Sequence, residues 1–135
     1  DLTNFKKPDI TLLNVAIGYS DAYSGFFDGY GYMSKLSKYG KFKVQVKTLD
    51  SLDIKPTFIK MHLEGGEMAA LEGGKNTIIN NRPILVVTTY HNSDGVYKLP
   101  CWFKDNLENY SIIMRNHSWN GTGCVIYGVP NERYS

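Results

Sequence analysis

Cysteine is nearly absent. Cys101 and Cys124 are the only two in 135 residues, and neither lies in a CxxC or Cys/His cluster. That excludes a disulfide scaffold and a zinc knuckle, and makes a reduced, cytoplasmic setting the default expectation. Charge of one sign is also lacking. The net charge is only +2, with lysines spread along the chain and mild clusters at Lys6-Lys7 and between Lys35 and Lys47. This reads as a solvated surface rather than a nucleic-acid patch, and no helix-turn-helix or RNP-like pattern argues otherwise. No apolar run approaches the length of a membrane span and no signal peptide opens the chain, so no membrane partner is expected. A phosphate loop is missing too: before Gly74-Lys75, Ala69 stands where the first glycine belongs, and Asn76 stands where Ser or Thr belongs.

What remains is the composition of an ordinary globular protein, 42% hydrophobic and 21% charged. Its length suits a single domain over 1–135 with one core. The polar residues Asp1 to Pro8 begin abruptly, as at a boundary within a longer reading frame.

Apolar periodicity sets out the elements. Ile10 to Ile17 reads as a buried strand, followed by turns at Ser20-Asp21 and Ser24-Gly25 and an irregular hairpin over Gly25 to Tyr32. Lys41 to Lys47 alternates strictly, with Phe42, Val44 and Val46 on one face, as in a strand with one wet side. Thr57 to Leu63 is a strand ended by Gly65-Gly66. Glu67 to Asn80 reads as a helix weakened by Gly73-Gly74, and Ile84 to Tyr90 as a strand buried on both faces. Together these make one right-handed βαβ unit. Asp94 to Leu107 is expected to be helical in part, interrupted by Pro100. Tyr110 to Met114 and Cys124 to Val129 are too closely spaced for a crossover helix, so they are expected to pair antiparallel. The fold class is therefore α/β: a mixed sheet with a parallel centre, a C-terminal antiparallel strand pair, and helices packed on it.

The polar residues cluster at one place in this plan. Along 57–63, Phe58, Lys60 and His62 alternate against Ile59, Met61 and Leu63, and Glu64 and Glu67 follow at the turn. If helices cover both faces, Lys60 and His62 need partners. Ligands of open α/β sheets bind outside the carboxyl ends of strands, where His62, Glu64 and Glu67 lie, with His91 at the neighbouring strand end. Structural uses compete: a hydrogen-bonded core histidine at 62, a helix-dipole partner at Glu67, a strand cap at His91. Arg115 and His117 share a face and would bind a substrate carboxylate or phosphate, or pair with Glu64 or Glu67. Asp50-Ser51 reads first as a helix cap. No His-x-x-x-His or similar metal-ligand spacing occurs, so no metal is expected.

Several ordered segments resemble the FkbM family of S-adenosylmethionine-dependent methyltransferases. The hallmark is Phe58-Ile59-Lys60-Met61-His62-Leu63-Glu64-Gly65-Gly66-Glu67, followed by Ala70-Leu71-Glu72-Gly73. Thr48-Leu49-Asp50-Ser51-Leu52, Asn14-Val15-Ala16 with Ser20-Asp21 and Gly25, Tyr90-His91, Arg115-Asn116-His117-Ser118 and Val125 to Pro130 are similar to further family landmarks. Two features depart from the pattern. The glycine-rich turn and acidic strand end that hold the cofactor have no counterpart, since Gly29-Tyr30-Gly31 lacks the third glycine. His62 stands where the family usually has aspartate.

The resemblance implies the C-terminal portion of a Rossmann-like methyltransferase sheet, in which strand 57–63 would pair with a first strand on one side and 84–90 on the other. It implies methyl transfer from S-adenosylmethionine to an oxygen of a small molecule or sugar. His91 or His62 would be the base, oriented by Glu64 and Glu67; Arg115 and His117 would hold the acceptor; Ser20 and Asp21 would lie near the adenine. With no first strand in this chain, the strand at 10–17, the strand at 42–47 or a second copy of the chain is expected to cover the open edge. A non-catalytic methyltransferase-like fragment or interaction module is the alternative.

Overall fold

The computed structural model describes residues 9–28, 35–37, 42–120 and 122–133. Asp1 to Pro8, the Gly29-Tyr30-Gly31 pattern and the tip of the hairpin over Gly25 to Tyr32 lie outside them.

The alternating and β-branched runs form strands, as their periodicity requires. They fall into two sheets: β1 (Ala16–Ile17), β4 (Phe42–Lys47), β2 (Ala22–Asp28) and β3 (Lys35–Ser37) in that spatial order, and β5 (Phe58–Met61), β6 (Ile84–Thr88), β8 (Cys124–Pro130) and β7 (Tyr110–Asn116) in that order. In the second sheet β5 and β6 are parallel and β8 runs antiparallel to both β6 and β7. The expected mixed sheet, with its parallel centre and C-terminal antiparallel pair, is therefore present.

Three helices cover one face of this sheet: α1 (Glu67–Glu72), α2 (Lys75–Asn81) and α3 (Gly95–Asn106). Leu71, Ile78, Leu85, Val87, Phe103 and Ile126 pack into one core between them and the alternate strand residues. Ile84 and Val86 are only half-buried, and Lys60 is exposed. The expectation that 84–90 is buried on both faces is thus corrected: among the described residues, helices pack on one face only. Lys60 and His62 therefore meet water rather than an interior that would demand partners.

Gly73-Gly74 does more than weaken a helix. It divides the expected helix into α1 and α2, and the Gly73 carbonyl accepts the Asp50 amide at 3.0 Å. A side chain at Gly73 would fall on the carbonyl oxygen of Gly18, so the break is where the first sheet's connection touches the helical layer. Asp50 does act as a cap, but at a distance. Its carboxylate accepts the amides of Asn76 at 3.3 Å and Thr77 at 2.7 Å, the N2 and N3 donors of α2. Asp50→Ala should cost about 1 kcal/mol, the usual worth of an N-cap, read as a lowered midpoint of thermal unfolding.

Pro100 does not interrupt α3, which runs unbroken through it. The proline removes a single backbone bond near the first turns, and the burial of Leu99, Trp102 and Phe103 outweighs that loss. The strand expected at Ile10 to Ile17 shrinks to Ala16–Ile17, with Ile10 75% and Leu12 90% exposed. Among the described residues these apolar side chains find no surface to pack on. Neither this segment nor 42–47 pairs with β5. β1 pairs parallel with β4 instead, and β5 has β6 as its one strand partner among the described residues.

Arg82 locks the far end of the second sheet. Its guanidinium donates to the Glu132 carboxylate at 2.7 and 2.9 Å and to the carbonyls of Glu108 at 2.8 Å and Asn109 at 3.1 Å. The hydrogen bond from Arg82 holds the Glu132 carboxyl down at about 2 against an ordinary 4.5. A carboxyl depressed in the folded state contributes stability above its unfolded value and loses it as pH falls through the folded one. Urea midpoints should therefore drop between about pH 4.5 and 2, less steeply in Glu132→Gln than in the unaltered chain.

Candidate functional site

The segment between β5 and α1 is a tight turn that needs two residues in the left-handed region: Glu64 at φ 51° and Gly65 at φ 101°. Glycine adopts this freely; glutamate does so at a cost of roughly 1–2 kcal/mol, the kind of backbone strain that concentrates at sites. A side chain on Gly65 would also strike the Asn92 side chain at 2.9 Å, and Asn92 Nδ2 donates to the Gly65 carbonyl at 2.9 Å. The turn after β5 is thereby stitched to the loop after β6, and the two strand ends are held side by side.

Glu67, the first residue of α1, is the hub. Its side chain is 3% exposed, yet every donor around it is directed at it. Oε1 accepts the Leu63 amide at 2.9 Å, the Thr88 hydroxyl at 2.9 Å and His91 Nδ1–H at 2.6 Å; Oε2 accepts the Gly65 amide at 3.0 Å. Burial pushes the Glu67 carboxyl up, but the Leu63 amide, its own amide, His91 and Thr88 outweigh it and hold it below the ordinary range. A buried carboxylate kept ionised in this way fixes the tautomer of its histidine partner. In the neutral imidazole this favours the proton on Nδ1, which leaves Nε2 as the acceptor nitrogen.

That nitrogen faces Glu64. His91 Nε2 lies 3.5 Å from Glu64 Oε1, and His62 Nε2 lies 3.2 Å from the same oxygen. The two imidazoles are tilted with centroids 4.8 Å apart, and the Tyr90 ring lies tilted against His91 with centroids 4.4 Å apart. His91 is sheltered, its side chain 8% exposed, whereas His62 is 43% exposed. All four candidates drawn from the strand ends, His62, Glu64, Glu67 and His91, are thus brought together. Glu67 and His91 also border a small cleft of about 20 Å³, lined further by Met68, Thr89, Asp94 and Lys98, while His62 and Glu64 lie outside its lining.

The remaining candidates stand apart. Arg115 pairs with Val125, which pairs with Thr88, so it occupies the same rim two strands away, roughly 10 Å by strand spacing. It makes no ion pair with Glu64 or Glu67 among the described residues. His117 Nε2 hydrogen-bonds the Tyr127 hydroxyl at 2.8 Å. Asp21 accepts the Thr48 amide at 2.7 Å and Lys47 Nζ at 2.9 Å, and the backbone bond above all holds its carboxyl well below the usual carboxylate range. Ser20 is exposed beside it. No hydrogen bond joins this turn to the Glu67 cluster among the described residues.

Sequence reasoning missed Thr88. It donates to Glu67 from the end of an apolar strand, three residues before His91, where the first of two threonines closing a Val-rich run was the available signal. Among the described residues, no helix is long and apolar enough to cross a membrane.

Comparison with known proteins agrees with this fold. No curated protein sequence matches the chain. The crystal structure of methyltransferase FkbM from Methylobacillus flagellatus is similar, with TM-score 0.68 and 24% identity over 87% of this chain. That alignment covers 28% of the relative, so this chain spans less than a third of its length. The family profile of the methyltransferase FkbM domain matches residues 2–97, which include the β5 turn, Glu67 and His91. This chain belongs to the FkbM methyltransferase domain family.

Proposed function

We propose that this domain supplies the acceptor-side chemistry of methyl transfer from S-adenosylmethionine to an oxygen of a small molecule or sugar. The observation that carries the reading is the buried Glu67 carboxylate on His91 Nδ1, which leaves Nε2 as a positioned proton acceptor at the rim of a cleft. An acceptor hydroxyl in that cleft gives its proton to His91 Nε2. The imidazolium so formed is stabilised by Glu67, and the freed oxygen lone pair is the nucleophile. S-adenosylmethionine supplies an electrophilic methyl carbon on a sulfonium. Arg115, exposed at the same rim, suits an anionic group on the acceptor, with His117 beyond it.

The described residues do not fit the whole donor. The cleft, about 20 Å³, is far smaller than the roughly 300–1,000 Å³ of ordinary small-molecule pockets, and the glycine-rich turn of such folds has no counterpart among them. Asp21 has both carboxylate oxygens engaged, so any contact of the Ser20-Asp21 turn with the adenine runs through Ser20 or the backbone. A second reading, a methyltransferase-like module that does not bind the cofactor alone, is favoured by this gap. The outer edge of β5 is where a second copy of the chain would pair. The free thiols Cys101 and Cys124 suit a reduced, cytoplasmic setting.

Calorimetric titration with S-adenosylmethionine separates the two readings. Saturable binding with one site supports methyl transfer by this chain. Absence of binding up to millimolar ligand removes catalysis by this chain and leaves the module.

A further inference from the structure

We propose that His62, Glu64 and His91 form a binding site for a divalent first-row transition metal, zinc in particular. The proposal rests on these three side chains and not on the methyl-transfer reading.

Their ligand atoms, two imidazole nitrogens and one carboxylate oxygen, all lie within 4.8 Å of one another. Zinc bonds nitrogen and oxygen at about 2.0–2.2 Å in tetrahedral array, so neighbouring ligand atoms around it stand roughly 3.3–3.5 Å apart. Glu64 Oε1 stands 3.2 Å from His62 Nε2 and 3.5 Å from His91 Nε2. Two of the three edges therefore already have the spacing of a zinc site, and a small rotation of the exposed His62 closes the third.

A second feature is independent of that spacing. A metal-bound histidine typically gives its other ring N–H to a carboxylate, which fixes the tautomer and raises ligand basicity. Glu67 does this to His91 at 2.6 Å from a position 3% exposed. The left-handed backbone at Glu64 serves the same geometry, placing its carboxylate between the two rings. Two imidazoles and one carboxylate suit zinc or cobalt better than magnesium or calcium, which prefer all-oxygen sites. Three protein ligands leave a fourth position open, and the exposure of His62 turns it to solvent. The His91 Nε2 lone pair goes to a metal or to a proton but not to both, so bound zinc would suppress base chemistry at His91.

The chain has three histidines, which allows a direct test on the unaltered protein. Chelator-stripped protein is titrated with zinc chloride, followed by calorimetry and by side-chain nitrogen NMR of the histidines. Cobalt chloride in a parallel titration reports geometry through its visible absorption. The expected result is one saturable equivalent, with resonances of two histidines, assigned by His62→Ala and His117→Ala, shifting while His117 stays put. Four-coordinate cobalt bands are expected. Glu64→Gln and His62→Ala should each weaken binding by about tenfold or more, and Glu67→Gln, which removes no ligand, by about 10–100-fold. Absence of saturable binding would overturn the proposal. So would binding that is unchanged in His62→Ala and Glu64→Gln, or that shifts His117 or follows alkylation of Cys101 and Cys124.

Discussion

Glu67→Ala should destabilise the domain by roughly 3–5 kcal/mol, the range for removing one partner of a buried charged network. The reason lies in what it leaves behind. The Leu63 and Gly65 amides, the Thr88 hydroxyl and His91 Nδ1–H all donate to this one carboxylate, and the side chain is 3% exposed. With alanine there, the two amides and His91 Nδ1–H around a buried void lose their acceptor, Thr88 keeps only the Met61 carbonyl, and each unsatisfied group costs about 1–3 kcal/mol unless water enters. A fall in Tm of roughly 10 °C or more is the corresponding thermal signature. Glu67→Gln keeps shape and one acceptor oxygen but turns an NH2 group toward at least one donor, so it should fall between the two. If Glu67→Ala unfolds like the unaltered chain, the buried carboxylate is not the organiser of this turn.

His91→Gln should lower the rate of methyl transfer by about 10²–10⁴-fold, the usual contribution of a positioned general base. Glutamine can still accept a hydrogen bond at the cleft, so acceptor affinity should change far less than kcat. His62→Ala provides the comparison. That imidazole is 43% exposed and has no buried carboxylate behind it, so its loss should leave kcat within a few-fold. An equal loss in both variants would mean that the two histidines act as one unit. A loss confined to His62→Ala would place the base on the wrong strand end.

Much of the site was legible in the sequence because it rests on local rules. Period-two alternation through Met61, a glycine turn and an acidic first helical residue predict a strand-turn-helix, and that is what joins β5 to α1. The placing of His91 at the neighbouring strand end follows from parallel pairing, and Met61 pairs with Val87 as that requires. The short polar link after Tyr110 to Asn116 fixed the antiparallel pair in the same way.

What stayed hidden was long-range. Asp50 caps a helix that begins 25 residues later, so its partner could not be read from neighbouring residues. The split at Gly73-Gly74 answers to the Gly18 carbonyl, again a contact between distant segments. His62, Glu64 and His91 converge from two strand ends, and no local ligand spacing announces such a cluster. One-sided burial of β6 depended on how many helices reach the sheet, which its own residues do not encode. Arg115 and His117 follow the i, i+2 pattern, yet hydrogen bonding of His117 to Tyr127 uses it within its own hairpin.

The claim on which the site rests is that a buried carboxylate sets the tautomer of His91. Nitrogen NMR of the imidazole side chains at neutral pH, in the metal-free protein, reads this directly. His91 should show a protonated Nδ1 and a bare Nε2, and this preference should weaken in Glu67→Gln. A His91 that carries its proton on Nε2, as free imidazole side chains in water prefer, would contradict the arrangement, and with it both the base and the metal ligand assigned to that atom.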